Sequence, residues 1–331
     1  MRYTYCVMKF KKLFEIFPPP AFLDISYSGL SISDTHMRCV QFGKNSSGLY
    51  VKKFVEKPIP SGTIISGFIN NPDEVIAILQ SIKKELNILY VKVSLPEEKA
   101  YLFTTKIPRV KPAEVRSTIE FTIEDNVPLP AGELSFDYAV ADEKIHPDHV
   151  NAIVSAVPNK IIDTYVDVIE KAELPLLSLE IESQAMARSL IAKDAPPDTR
   201  LIIHFGAEKV GLYVIYNRTV HFTSTIITTT EVQNDLTTLS KEIKRLFVYW
   251  HALKVNVGDT SKKISQIIVC GENVTQNIVS YISSEQNTPA TMGNVWTNVY
   301  DISKTIPPIS YSESLRFAAA VGLALPSEIL I

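Results

Sequence analysis

At 331 residues the chain exceeds one typical domain, so length alone predicts two lobes or one domain with insertions. Hydrophobic residues make up 46% and charged residues 21%, the balance of a core-forming globular protein. A net charge of −3, from 33 basic and 36 acidic side chains, argues against nucleic-acid binding, which wants a basic excess.

Residues 1–28 read as a leader, partly disordered and set off by Pro18-Pro19-Pro20. Its Lys9, Lys11 and Lys12 are interleaved with Phe10, Leu13 and Phe14, whereas a secretory signal places basic residues before its apolar core. Met8 is a candidate start, and residues 8–17 suit an amphipathic turn that touches a membrane surface. No apolar run approaches the roughly 20 residues needed to span a bilayer. The longest, Phe317 to Leu325, suits a buried helix.

Within 22–42, two short pieces compete for the first strand, Leu23-Asp24-Ile25-Ser26 and Leu30-Ser31-Ile32-Ser33. Alternation from Gly29 predicts strands near 29–33 and 36–43, then a third near 49–57 that Pro58 and Pro60 end. A helix follows from Pro72 with Asn71 as its cap, Asp73 and Glu74 in its first turn, and Val75, Leu79, Ile82 and Leu86 on one face. Strands near 90–95 and 100–106 flank Pro96. A second helix runs from Pro112 to before Pro128, with Val115, Ile119 and Ile123 inward.

Strands over 135–140 and 150–157 lead to a helix over 159–173 that packs Ile162, Tyr165 and Ile169. A strand over 177–181 and a helix over 184–190 follow, with Ser183 as the expected N-cap. Ala195-Pro196-Pro197-Asp198 is the clearest linker. Beyond it the opening pattern returns: strands 201–206, 210–216 and 220–226, with Asn217-Arg218 as a tight turn. Leu30 to Phe42 thus echoes Ile202 to Ile215. The helix over 235–254 carries Leu236, Leu239, Ile243, Leu246, Trp250 and Leu253 on one stripe. A strand over 264–269 turns at Gly271 into a helix over 274–283, and a nearly all-apolar helix over 312–325 closes the chain.

Little catalytic chemistry is visible. Cys6, Cys39 and Cys270 lack paired spacing and suit reduced thiols. His146-Pro147-Asp148-His149 reads as a solvated loop, having no third ligand nearby. G-x-S-x-G, H-E-x-x-H and G-x-x-x-x-G-K-[ST] are all absent from the sequence, and only 12 glycines are available for phosphate loops.

Two meander-plus-helix lobes facing a cleft resemble the actin-like ATPase fold, and within it the FtsA-like PilM family of type IV pilus assembly. The pieces that carry the resemblance are Phe17-Pro18-Pro19-Pro20, Gly29-Leu30-Ser31-Ile32-Ser33-Asp34, Val127-Pro128-Leu129-Pro130 with Phe136-Asp137-Tyr138, Glu182-Ser183-Gln184-Ala185, and Ala319-Ala320-Val321-Gly322-Leu323-Ala324. The implied fold is α/β, two-lobed and actin-like, a duplicated ribonuclease H-like unit. The first lobe would comprise 29–98 and 178–195, with an FtsA-type 1C insertion at 99–177. The second would be 196–331, with helix 312–325 packing back on the first. The family's 2B helical subdomain has no room here, because only Ile227 to Asn234 lies between meander and helix.

The resemblance also implies a cytoplasmic protein at the inner face of the cytoplasmic membrane. It would bind the N-terminal cytoplasmic peptide of a PilN-like membrane protein in a groove between the insertion and the first lobe, and would meet other pilus assembly proteins. Actin-like folds hold ATP through an Asp in each of two D-x-G loops, which organise Mg²⁺, and a G-G turn. At the matching places stand Ser31-Ile32-Ser33, then His204-Phe205-Gly206-Ala207-Glu208, then Cys270-Gly271-Glu272-Asn273. Neither Ser31 nor His204 is a Mg²⁺-organising acid. Ser31, Ser33, Asp34, His204, Gly206, Gly271 and Glu272 therefore read as a vestigial nucleotide cleft. No cofactor, metal or catalytic residue is expected.

Two alternatives remain in view. A working ATPase or kinase would have to rescue ATP and Mg²⁺ binding through Asp24 or Asp34. An FtsA-like filament former would have to meet the membrane through the leader, since the carboxyl end, Pro326 to Ile331, carries no amphipathic helix. Otherwise Ser31, Ser33 and His204 are ordinary loop residues, His204 and His221 stack on neighbouring strands, and Glu182 and Gln184 cap a helix.

Overall fold

A computed structural model describes residues 26–45, 48–140, 148–227, 236–253, 256, 259–301 and 305–326. Residues 1–25 of the leader, with Met8, residues 8–17, the Pro18–Pro20 run and Asp24, lie outside the described residues. So do His146-Pro147, the stretch 228–234 and the last five residues. The leader ends earlier than expected because Ser28 already belongs to the first strand.

Strands β1 (Ser28–Ile32), β2 (His36–Asn45) and β3 (Gly48–Pro58) form the expected antiparallel meander, with Leu30 opposite Cys39. The register starting at Gly29 is therefore the one that makes the first strand. A short hairpin, β4 (Ile64–Ile65) and β5 (Phe68–Ile69), precedes helix α1 (Pro72–Leu86). Asn71 caps α1 by accepting from the Glu74 N–H, and Val75, Leu79, Ile82 and Leu86 are its buried residues. Strand β6 (Val91–Leu95) pairs parallel with β1, and β10 (Leu176–Ile181) parallel with β6, giving the order β3-β2-β1-β6-β10.

The second sheet repeats that plan. Strands β11 (Thr199–Phe205), β12 (Lys209–Tyr216) and β13 (Thr219–Ile227) are the meander, and β14 (Ile264–Gly271) and β15 (Ala290–Met292) add in parallel. Asn217 and Arg218 both have positive φ, 47° and 62°, which is the primed turn that suits the twist of a hairpin. Helices α5 (Leu236–Ala252) and α6 (Gln276–Gln286) follow β13 and β14. Leu239, Ile243, Leu246 and Trp250 are buried as expected, while Leu236 and Leu253 at the helix margins are partly covered. Helix α6 starts two residues later than expected because Thr275 is its cap, accepting from the Ile278 N–H.

Strands β7 (Tyr101–Pro108), β8 (Leu134–Val140) and β9 (His149–Pro158) form a separate sheet in the order β7-β9-β8, covered by helix α2 (Pro112–Ile123). Two small cores hold it, one around Ile107, Ile119 and Val154 and one around Ile123, Val127 and Leu134. Helix α3 (Asn159–Lys171) falls inside the expected insertion but packs elsewhere: Ile161, Tyr165, Val168 and Ile169 join the core of the first sheet, against α1. The small sheet is already covered by α2, so the apolar stripe of α3 buries more area on the larger core.

Helix α4 (Glu182–Leu190) and the closing segment sit between the sheets, sharing a core with Ile202, Tyr213 and Trp296. That closing segment is not the single expected helix. It is broken into α7 (Tyr311–Ser314), a 3₁₀ turn at Leu315–Phe317 and α8 (Ala318–Ala324). Small residues let α8 approach closely: a Cβ on Gly29 would lie 2.2 Å from the Ala320 carbonyl oxygen, and one on Gly322 would lie 1.8 Å from that of Ala185.

Candidate functional site

The β1–β2 turn, the β11–β12 turn and the end of β14 converge on one cleft. It brings together Ser31, Ser33, Asp34, His204, Gly206 and Glu272, the residues expected there. Gly271 is not in its wall. With φ +105° and an added Cβ 2.1 Å from the Phe205 carbonyl oxygen, it serves the close approach of β14 to β11.

Three backbone donors of the cleft loops are engaged within the protein. Ser33 N–H donates to His36 O (3.0 Å), Gly206 N–H to Lys209 O (2.8 Å) and Glu272 N–H to Phe205 O (2.7 Å). The Ser33 hydroxyl closes its own turn, accepting from the His36 N–H and donating to the His36 carbonyl. An N–H engaged in this way is not free to face a phosphate.

Charged side chains fill the remaining space. Arg38 of β2 donates to Glu56 Oε1 and to Glu272 Oε1, each at 2.6 Å, and Arg316 donates to Glu56 Oε2 at 3.1 Å. Lys209 of β12 places its Nζ 2.6 Å from Glu98 Oε1 and 3.6 Å from Asp34 Oδ2. Asp34 is further engaged, accepting from the Gly67 N–H at 2.9 Å. The cleft that remains has a cavity volume of about 20 Å³, room for about one water. Burial, helped by Arg38 and Lys209, pushes the His204 imidazole down to about 3, so it is neutral at ordinary pH.

A feature without a sequence motif organises the rest. After Pro96 a single 3₁₀ turn, Glu97–Lys99, sends three consecutive side chains to three places. Buried Glu97 accepts from the Ser183 N–H at 3.0 Å, Glu98 takes Lys209, and Lys99 lies 3.7 Å over the Phe68 ring. Burial pushes Glu97 up to about 7, and burial with the neighbouring Glu97 and Glu98 does the same to Glu182 despite Lys209.

Three expectations are corrected here. Helix α4 starts at Glu182 with no side-chain cap, so Ser183 is not its N-cap. The Ser183 N–H is met instead by Glu97 from across the fold. Glu182 and Gln184 do not cap either: Gln184 bridges to the second lobe, donating to Arg218 O and accepting from the Val220 N–H. His204 and His221 do not stack, because β12 lies between their strands. His221 instead meets Tyr216 and Trp250 edge-on.

A second, open site lies on the first lobe. The β4–β5 hairpin and α3 form the walls of a groove of about 390 Å³, lined by Ile65, Phe68, Ile69, Lys160, Ile161 and Tyr165 among others. Tyr165 donates its hydroxyl to Gly67 O at 3.2 Å, tying the two walls together at one end. Phe68 and Ile65 are about half exposed, at 48% and 53%, which is costly for apolar side chains unless something covers them. The sequence signal for this wall was the Ser66-Gly67 dipeptide between two apolar pairs, a two-residue hairpin signature.

The family described as type IV pilus assembly protein PilM matches residues 29–228, more than half of the chain. A solved PilM–PilN type IV pilus biogenesis complex is similar in fold, with a TM-score of 0.78 at 16% identity, over 91% of this chain and 98% of that one. The ethanolamine utilization protein EutJ from Carboxydothermus hydrogenoformans reaches 0.49 at 11% identity, covering 93% and 90%. The cytoplasmic domain of EpsL, from the type II secretion system of Vibrio cholerae, reaches 0.47 at 9% identity, covering 82% and 98%. No curated protein matches the chain in sequence.

Proposed function

Because the chain belongs to the type IV pilus assembly protein PilM family, we propose that it is a cytoplasmic scaffold of pilus assembly. In this reading it holds an extended peptide from a PilN-like inner-membrane protein and hydrolyses no nucleotide. The similar PilM structure is that of a complex with PilN, which supports a partner of that kind. Other faces are left for further pilus assembly proteins, and contact with the membrane surface through residues 8–17 belongs to the same reading.

The observation that carries it is the contrast between the two sites. The groove offers about 390 Å³ with exposed apolar side chains, whereas the cleft offers about 20 Å³. An adenine nucleotide needs a pocket in the range of several hundred Å³ and free backbone donors for its phosphates, and the Ser33, Gly206 and Glu272 N–H groups are engaged within the protein. Two of the cleft carboxylates face cations that belong to the chain itself, Asp34 the Lys209 ammonium and Glu272 the Arg38 guanidinium, which leaves less free charge for a hard metal ion. An extended peptide suits the groove, since one wall is a short β-hairpin with apolar side chains and the other is a helix face carrying Lys160. Among the described residues no helix is long and apolar enough to cross a membrane.

The test is a titration of the full chain with a synthetic peptide copying the N-terminal cytoplasmic residues of the PilN-like protein of the same organism. Binding with a micromolar Kd is expected, and no binding at several hundred micromolar overturns the peptide reading. In a parallel melt, millimolar Mg-ATP is expected to leave Tm unchanged. A rise of several degrees overturns the claim that nucleotide has no site, because a ligand at a hundredfold its Kd stabilises by about 2.7 kcal/mol.

A further inference from the structure

The hairpin that walls the groove has only two residue pairs, Ile64 with Ile69 and Ile65 with Phe68. A two-stranded ribbon of that length is not stable by itself in water. Its position is therefore set by the rest of the fold, at its base through Ile64 and Ile69, which join the first core, and at its tip through Gly67. The Gly67 N–H donates to Asp34 Oδ1 at 2.9 Å, and its carbonyl accepts from Tyr165 at 3.2 Å. Gly67 has φ +76°, and an added Cβ would lie 2.6 Å from the Pro96 Cβ, so the tip is pressed against the turn that carries Glu97–Lys99. Both supports of this tip on the cleft side reach the second lobe through one residue. Lys209 is paired with Glu98 in that turn and faces the second carboxylate oxygen of Asp34.

We infer that Asp34 and Lys209 are positioning residues for the groove: the Lys209 ammonium orients Asp34, Asp34 holds the Gly67 N–H, and contact between the lobes thereby sets where the groove wall stands. The inference rests on reading the groove as the peptide site. Its mechanical part does not depend on which peptide binds. Lys209 does not line the groove, so its effect on the wall passes through Asp34 and Glu98. By linkage, a peptide that prefers the set wall strengthens the contact between lobes by the same factor.

The test uses amide hydrogen exchange on the full chain without peptide, comparing wild type, Lys209→Met and Lys209→Arg. The amides of Gly67 and Phe68 are expected to exchange about tenfold faster in Lys209→Met and near the wild-type rate in Lys209→Arg, with those of α6 unchanged. Unchanged hairpin exchange in Lys209→Met, or equal acceleration in α6, overturns the inference. The synthetic PilN-like peptide then adds a second readout, with about tenfold weaker binding to Lys209→Met than to wild type expected. If wild type itself binds no peptide, the groove reading falls, while the exchange result still decides whether Lys209 sets the wall.

Discussion

Arg38 Nη2 lies 2.6 Å from Glu272 Oε1, a charge-assisted hydrogen bond from the first sheet to the loop after β14 in the second. The arginine side chain is only 6% exposed and the glutamate 18%, so the pair is shielded from water and joins the lobes across the cleft. Glu272→Ala leaves Arg38 with Glu56 alone. Loss of one partner from a buried charged pair costs about 2 kcal/mol. The urea midpoint is expected to fall accordingly at unchanged slope, and a change under about 0.5 kcal/mol would show that the bond does not hold the lobes.

Four buried groups contribute to the dependence of stability on pH in opposite senses. Glu97 and Glu182 are raised to about 7, and His204 and His221 are lowered to about 3. Unfolded, the glutamates titrate near 4.3 and the histidines near 6.5. The glutamates' contribution is complete below about 4.3 and is lost as pH rises through about 7. The histidines' contribution is complete above about 6.5 and is lost as pH falls toward about 3. Between these limits the two proton counts offset each other, so Tm is expected to be flat from about pH 4.5 to 6.5 and to fall on both sides. Glu97→Gln keeps an acceptor for the Ser183 N–H and is expected to make the alkaline fall shallower. An unchanged alkaline limb in that variant would sink the assignment.

Gly322 is a packing residue. An added Cβ would stand 1.8 Å from the Ala185 carbonyl oxygen, and backbone on backbone has little room to give. Gly322→Ala is expected to cost about 3 kcal/mol or to prevent folding. Gly132→Ala is the control, because nothing lies within 4 Å of its added Cβ, and calorimetry should find it within about 0.5 kcal/mol of wild type.

Phe68 separates binding from stability. Its ring is half exposed on the groove wall under the Lys99 ammonium, so Phe68→Ala removes a contact surface and little core. Titration with the PilN-like peptide is expected to show at least tenfold weaker binding, with Tm within about 2 °C of wild type. Equal affinity for both proteins would place the peptide elsewhere.

Much of the scaffold was legible because its signals are local. Alternation from Gly29, Asn71 with Pro72, and Asn217-Arg218 each dictate a conformation within a few residues, and each element stands where they placed it. The echo of the first meander in the second emerged as two sheets of one topology. Elements of two or three residues, such as β4, β5, β15 and the Glu97–Lys99 turn, are too short to show a period, so the groove wall has no signal in the sequence beyond its Ser66-Gly67 turn.

By itself the sequence determined the order of the longer elements, the duplicated lobes and the absence of metal-organising acids at Ser31 and His204, because these depend on residue type and near neighbours. Only the tertiary structure decided what took their place. Lys209 lies 175 positions from Asp34 along the chain (209 minus 34), and Glu97 meets Ser183 from a different part of the fold. Charge pairing and desolvation act through a few ångströms of space. Which ammonium neutralises which carboxylate, and which backbone N–H it frees or holds, is settled when the lobes close.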